Sequence, residues 1–294
     1  MKIKRILVPL DGSDVAKQAL PHAVSIAQRN NASILLLRVV PLQSYAALSD
    51  PNMVLDGGTG ATAYDYEMVR ELQEQGHETA VSYLNEKQSI LEQDGISCET
   101  IVTEGDEAGV IVDTAIEQKA DVIVMTTHGR SGFSRWMMGS VAERVLREAK
   151  CPVMVTRHNK QAKNILIPLD GSDLSEQALP VGLMVAEANN ATAHLMRVHE
   201  SSSEKAQTAV QTYLDGCVAK LMATSKRGMD VEMKTAVVHG SPASSIIDYV
   251  EENEIDLIVI ATHGRRGVHR WVYGSVTEKI LRGVERNILV VRPQ

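Results

Sequence analysis

Thr127-His128-Gly129-Arg130-Ser131-Gly132-Phe133-Ser134-Arg135-Trp136-Met137-Met138-Gly139-Ser140-Val141 returns later in the chain as Thr262-His263-Gly264-Arg265-Arg266-Gly267-Val268-His269-Arg270-Trp271-Val272-Tyr273-Gly274-Ser275-Val276. Each copy follows a short β-branched apolar run, Val122 to Met125 or Leu257 to Ile260, opened by Asp121 or Asp256. Such a run reads as a buried parallel strand. Each copy leads into a helical pattern, Ser140-Val141-Ala142-Glu143 or Ser275-Val276-Thr277-Glu278. Serine at the N-cap with glutamate three residues on predicts a capping box. A loop rich in glycine and arginine thus joins a strand end to a helix start, where free N–H groups and the helix dipole attract anions. It reads as a phosphate cradle.

Working outward, a second pair of stretches repeats as well. Arg5-Ile6-Leu7-Val8-Pro9-Leu10-Asp11-Gly12-Ser13 matches Asn164-Ile165-Leu166-Ile167-Pro168-Leu169-Asp170-Gly171-Ser172. The offset between copies falls from 159 residues (Arg5 to Asn164) to 135 (Thr127 to Thr262), so the first half carries 24 extra residues, mostly within Pro41 to Thr62. The pattern predicts two tandem α/β domains, 1–158 and 163–294, joined through a polar linker at 158–163. Strands alternating with helices call for an open, mostly parallel, doubly wound sheet of Rossmann-like character. Pro21 and Pro180 are expected to kink the first helix of each half. The long polar helix ending near Asp94 is expected to break near Gly76. The last strands, 152–156 and 287–291, are expected to pair antiparallel, because pairing removes two exposed apolar edges. One chain would then form an intramolecular pseudo-dimer, and a further homodimer is compatible with it.

Ligands of such sheets sit beyond the strand carboxyl ends, at the switch in strand order. If strands one and four are neighbours, Pro9-Leu10-Asp11, Val39 and the cradle all line one crevice. Asp11 and Asp170 are read as organisers of the phosphate end or of Mg²⁺, which typically uses one or two carboxylates plus substrate phosphates. Arg130 and Arg265 are read as phosphate clamps. His128 and His263 have no third group placed by sequence to orient them as bases, so no catalytic residue is assigned. His194 and His199 are five apart in a strand and face opposite sides, so they cannot share a metal ion. No P-loop spacing occurs, and Asp56 to Gly60 lacks the dinucleotide fingerprint.

Composition narrows the function classes. The chain of 294 residues is 44% hydrophobic and 23% charged, which supports an ordinary core. Its formal net charge of −7 argues against a nucleic-acid or anionic-membrane surface, so an anion must be held by a local site. No apolar run approaches a membrane span, and Met1-Lys2-Ile3-Lys4-Arg5 leads into a strand rather than a signal peptide. Cys98, Cys151 and Cys217 are odd in number and widely spaced, which reads as reduced thiols of a cytoplasmic protein.

The two cradles and the two Pro-Leu-Asp-Gly-Ser turns resemble the universal stress protein family in its tandem, two-domain form. That family's nucleotide signature runs Gly, two residues, Gly, nine residues, Gly, then Ser or Thr. Gly129, Gly139 and Ser140 fit its second part, as do Gly264, Gly274 and Ser275, whereas Thr126 and Ala261 stand in place of the first glycine. By this resemblance Pro9, Asp11 and Val39 would line the adenine and ribose side, with Gly129, Arg130, Gly139, Ser140 and Val141 at the phosphates. The second-half equivalents are Pro168, Asp170 and Val198, then Gly264, Arg265, Gly274, Ser275 and Val276. The resemblance implies a stress-response regulator binding ATP, ADP or AMP, with Mg²⁺ as an optional companion and an unidentified protein partner. A slow ATPase or phosphotransferase using the same crevice is the first alternative. A nucleotide-free interaction scaffold is the second.

Overall fold

The computed structural model describes residues 3–41, 63–127, 138–224, 231–262 and 274–292. The first half runs β1 (Arg5–Pro9), a 3₁₀ turn (Ala16–Ala19), α1 (Leu20–Asn30), β2 (Ser33–Pro41), α2 (Ala63–Gln93) and β3 (Cys98–Gly105). It continues with α3 (Glu107–Glu117), β4 (Val122–Thr126), α4 (Ser140–Glu148) and β5 (Val153–Thr156). The second half repeats the plan: β6 (Asn164–Pro168), α5 (Asp173–Glu176), α6 (Ala178–Asn189), β7 (Thr192–His199), α7 (Glu204–Thr224) and β8 (Met233–His239). It closes with α8 (Pro242–Glu252), β9 (Leu257–Ala261), α9 (Ser275–Gly283) and β10 (Asn287–Val291).

The ten strands of the described residues form one sheet, ordered β3-β2-β1-β4-β5-β10-β9-β6-β7-β8. Neighbours within each half are parallel. At the centre β5 and β10 pair antiparallel, with Met154 opposite Leu289, as the edge argument expected. Alternate strand residues feed two cores. Ile6, Val8, Ile34, Leu36, Val122 and Val124 pack with α1 and α2, while Leu7, Leu35, Leu37, Ile123 and Met125 pack with α3 and α4. Each core continues into the second half. The sheet is therefore buried on both faces, as the unbroken apolar strand runs require. Among the described residues no helix is long and apolar enough to cross a membrane.

Three local expectations are corrected. Pro21 does not kink a helix: the chain makes a 3₁₀ turn first, and Pro21 then sits in the first turn of α1, where its missing N–H is no loss. Likewise Ser172 caps the short α5, and Pro180 falls in the first turn of α6. Helix α2 runs 31 residues without a break at Gly76. A glycine costs only about 1 kcal/mol against alanine there, and the burial of Ala80, Leu84 and Leu91 holds the helix to the sheet. Finally, no serine capping box forms at α4 or α9. Gly139 and Gly274 are the N-caps, Ser140 and Ser275 are the first helical residues, and neither cap makes a side-chain hydrogen bond.

The two halves are clasped reciprocally. Arg157, just beyond β5, donates from Nη2 to Leu281 O at 2.6 Å in the last turns of α9. Arg292, just beyond β10, donates to Leu146 O in α4. Each guanidinium thus meets the negative end of the other half's helix dipole. The linker adds an asymmetric polar cluster. Buried Asn287 accepts at Oδ1 from Arg157 N at 2.8 Å, and its amide nitrogen faces His22 Nε2 at 3.2 Å. His22 Nε2 also bonds His158 O at 2.8 Å.

These contacts carry a pH dependence. Burial lowers the pKa of His22, outweighing its bond to His158 O. Burial first, and His22 second, lower that of His158, and burial lowers that of buried His194. All three favour the neutral form when folded, so the unfolded chain binds more protons below its ordinary histidine pKa of about 6.5. Stability is complete above that value and is lost as pH falls below it toward the lowered pKa values of the folded state. Burial raises the carboxyl of Asp256, but the N–H groups of Lys163 and Asn164 and the Lys160 ammonium outweigh it and hold the pKa low. That group adds a further loss only below about pH 4. Urea midpoints should therefore be lower at pH 5.5 than at pH 7.5, and His22→Gln should shrink the difference. Equal midpoints would contradict the assignment.

Candidate functional site

Strand order reverses between β1 and β4, and a cavity of ≈ 290 Å³ opens at their carboxyl ends. One wall is apolar: Leu37 and Val39 from β2, Ile111 from α3, and Met125 from β4. The start of α4 lines it as well, with Gly139, Ser140, Val141 and Ala142. Pro9, Leu10 and Asp11 line it from the end of β1, and Thr126 and Thr127 from the end of β4. Thus Pro9, Asp11, Val39, Gly139, Ser140 and Val141 are brought together around one cavity. Gly129 and Arg130, like Gly264 and Arg265, lie outside the described residues, as do His128 and His263.

The helix wall has a chemical consequence. Gly139 N donates to Thr127 O at 2.8 Å, tying the strand end directly to the helix start. Glu143 N bonds Gly139 O, so the α-helical register begins at Gly139. Among the described residues no side chain caps that end, and first-turn N–H groups of this kind are where anions bind at helix starts. Gly139 has φ −64° and ψ 150°, a conformation open to every residue, so backbone strain does not explain this glycine. At its counterpart Gly274, no described atom lies within 4 Å of where a Cβ would sit.

Asp11 is shaped by its own turn. Its Oδ1 accepts from Ser13 N at 2.9 Å and Ser13 Oγ at 2.6 Å, and Ser13 Oγ in turn accepts from Ala16 N at 3.1 Å. Asp170 repeats this with Ser172 at 2.9 and 2.6 Å. The carboxylate is therefore fixed as an Asx turn while lying on the cavity side of β1. One oxygen is already engaged by the loop, which favours orientation of a ligand over a multi-carboxylate metal cage. Among the described residues no group of three or more His, Cys, Asp or Glu side chains could hold a metal ion.

Sequence reasoning passed over what holds this turn. Arg38 donates from Nη1 to Leu10 O at 3.3 Å and sits 5.9 Å from the Tyr83 ring centroid. Arg197 stands 4.7 Å over Tyr213. Gly12 at φ +85° and Gly171 at φ +87° lie against these guanidinium groups; a Cβ on Gly171 would come within 2.6 Å of Arg197. Glycine is demanded twice there, by the left-handed backbone and by the close approach. The signal was present: Leu37-Arg38-Val39 and Met196-Arg197-Val198 both set an arginine inside an otherwise apolar strand. Glu107 reaches the cavity wall from the first turn of α3, and nothing in its spacing along the chain links it to β1.

The second half places the same parts in the same order. β6 lies between β7 and β9, with Pro168, Asp170 and Val198 at strand ends and Gly274, Ser275 and Val276 at the start of α9.

The model of the Universal stress protein family matches residues 2–157 and again 161–292. Universal stress protein MJ0531 of Methanocaldococcus jannaschii is 35% identical over 159 residues, 54% of this chain and 84% of that protein. Universal stress protein Slr1230 of Synechocystis sp. is 26% identical over 298 residues, covering 99% of this chain and all of that one. Among solved structures, a universal stress protein from Archaeoglobus fulgidus superposes with a TM-score of 0.72 at 21% identity, covering 99% of both chains. With one match in each half, and the same doubly wound plan in both, the chain belongs to the universal stress protein family, as a form with two such domains in tandem.

Proposed function

We propose that the crevice between β1 and β4, and its counterpart between β6 and β9, bind an adenine nucleotide as a regulatory ligand with little or no turnover. One observation carries this reading: at the switch point, apolar side chains and a helix N-terminus that no described side chain caps line one cavity. A flat apolar base suits Val39, Leu37 and Met125, and phosphates suit the α4 N–H groups at Ser140 and Val141. Arg130 and Arg265 add clamps from the cradle sequence. Mg²⁺, if it accompanies the ligand, is held mainly through phosphate oxygens, with Asp11 or Asp170 as the nearest motif carboxylate.

Low turnover follows from the wall chemistry. Efficient phosphoryl transfer needs an aligned nucleophile and concentrated positive charge at the γ-phosphate. The described cavity wall supplies neither lysine nor arginine, and Asp11 Oδ1 is engaged by Ser13. A slow hydrolase is the second reading, because Glu107 puts another carboxylate on the wall where it could orient water.

The test is thermal unfolding with ATP, ADP and AMP, with and without Mg²⁺, together with mass spectrometry of small molecules released from the purified protein. A ligand at about 100 times its Kd stabilises the folded state by about 2.7 kcal/mol. An unmoved midpoint at millimolar nucleotide would remove this reading and favour the scaffold. A turnover above roughly 1 s⁻¹, the low end for ordinary enzymes, abolished by Glu107→Gln, would favour the hydrolase.

A further inference from the structure

The second half carries a feature that the first lacks and the nucleotide reading does not use. His199 ends β7 and His239 ends β8, directly opposite each other in the parallel register. Their ring centroids are 5.4 Å apart at an interplanar angle of 64°. In the first half the corresponding partners on β2 and β3 are Val40 and Glu104. Both imidazoles extend the sheet face that packs on α7: Ala193 and Leu195 precede His199 on that face in the core with Val210 and Leu214, and Met233 and Val237 precede His239. Unlike those residues, the histidines stand at the strand ends; His239 is exposed and His199 half-buried.

We infer that His199 and His239 form a two-imidazole site for a borderline divalent ion such as Zn²⁺, Cu²⁺ or Ni²⁺. Separation is the first argument. Two imidazoles bound through nitrogen at about 2.1 Å to one tetrahedral ion have ring centroids roughly 5 Å apart. Orientation is the second. His199 Nδ1 lies 2.7 Å from Ser201 O, an acceptor only, so Nδ1 carries the proton and Nε2 presents the lone pair. A backbone carbonyl fixing the tautomer in this way is the usual support of a metal-binding histidine. Among the described residues the His239 ring makes no hydrogen bond, which leaves it able to turn toward a shared ion. Register is the third: Gly240 N donates to His199 O at 3.0 Å, locking the two strand ends together.

Two imidazole ligands leave the remaining positions to water. Such a donor set selects ions that favour nitrogen and rejects Mg²⁺ and Ca²⁺, which take oxygen ligands. His194, five residues earlier, plays no part. That ring is buried on the opposite face, with Nδ1 2.9 Å from Tyr249 Oη.

Calorimetric titration of the full chain with ZnCl₂ and CuCl₂, with MgCl₂ as the control ion, tests the site without nucleotide. The wild-type protein is expected to bind one ion that His199→Gln and His239→Gln each lose or bind at least about tenfold more weakly, as expected when a chelate is reduced to one ligand. Copper should bind more tightly than zinc, and both should be released on acidification as the imidazoles protonate. Unfolding midpoints of the variants should match the wild type. Should His199→Gln fail to fold, the exposed His239→Gln carries the test. Uptake equal in number and affinity for wild type and His239→Gln would overturn the proposal.

Discussion

Gly139→Leu is expected to remove nucleotide binding from the first-half crevice, weakening it by roughly a hundredfold, about 2.8 kcal/mol. The ligand-free protein should keep its unfolding midpoint. The reason lies in what the glycine does not do. Its φ and ψ of −64° and 150° suit any residue, and its N–H to Thr127 O survives the change. A leucine there adds bulk at the cavity wall, next to the first-turn N–H groups, without offering an anion a compensating cation. Gly274→Leu should act in the same way on the second half, so a titration of either single variant should show half the wild-type stoichiometry. Undiminished binding in both variants would mean that the helix N-termini do not hold the ligand.

Leu289→Ala is expected to cost about 2–5 kcal/mol, the usual range for deleting a buried leucine side chain. Leu289 is 1% exposed and lies opposite Met154 across the antiparallel pair that joins the halves. Both cores run through this seam, so the loss should lower a single unfolding transition shared by the two halves. Circular dichroism and tryptophan fluorescence should give coincident curves, since Trp136 and Trp271 report one on each half. Separation into two transitions, with only the second half destabilised, would show that the seam does not couple them.

Much of this was legible in the chain. The fully buried strands announced themselves because a parallel sheet covered on both faces needs continuous apolar runs, and Ile6-Leu7-Val8 and Val122-Ile123-Val124 supply them. Repetition sharpened the reading: two copies of Leu-Asp-Gly-Ser and two cradles place the same strand ends beside the same helix starts. Where prediction slipped, the competing energies were small or local. Gly76 could not break a helix anchored by Leu84 and Leu91. Pro21 moved to a first turn, where its ring costs nothing, and a one-residue shift in helix register transferred the cap from Ser140 to Gly139.

The sequence by itself determined the alternation of strands and helices, the duplication, the antiparallel seam and the strand ends that carry the repeated motifs. Those follow from burial periodicity and from backbone rules that act over a few residues at a time. Only the tertiary structure decided which distant side chains meet. Arg38 reaches the Leu10 carbonyl because β2 lies beside β1. Arg157 and Arg292 cross the seam because the halves are related by a near two-fold exchange. Glu107 joins the cavity through the packing of α3 on the sheet, and His199 meets His239 because β8 pairs in register with β7. Spacing along a chain carries no record of such encounters, since strand order and register are fixed by the whole sheet at once.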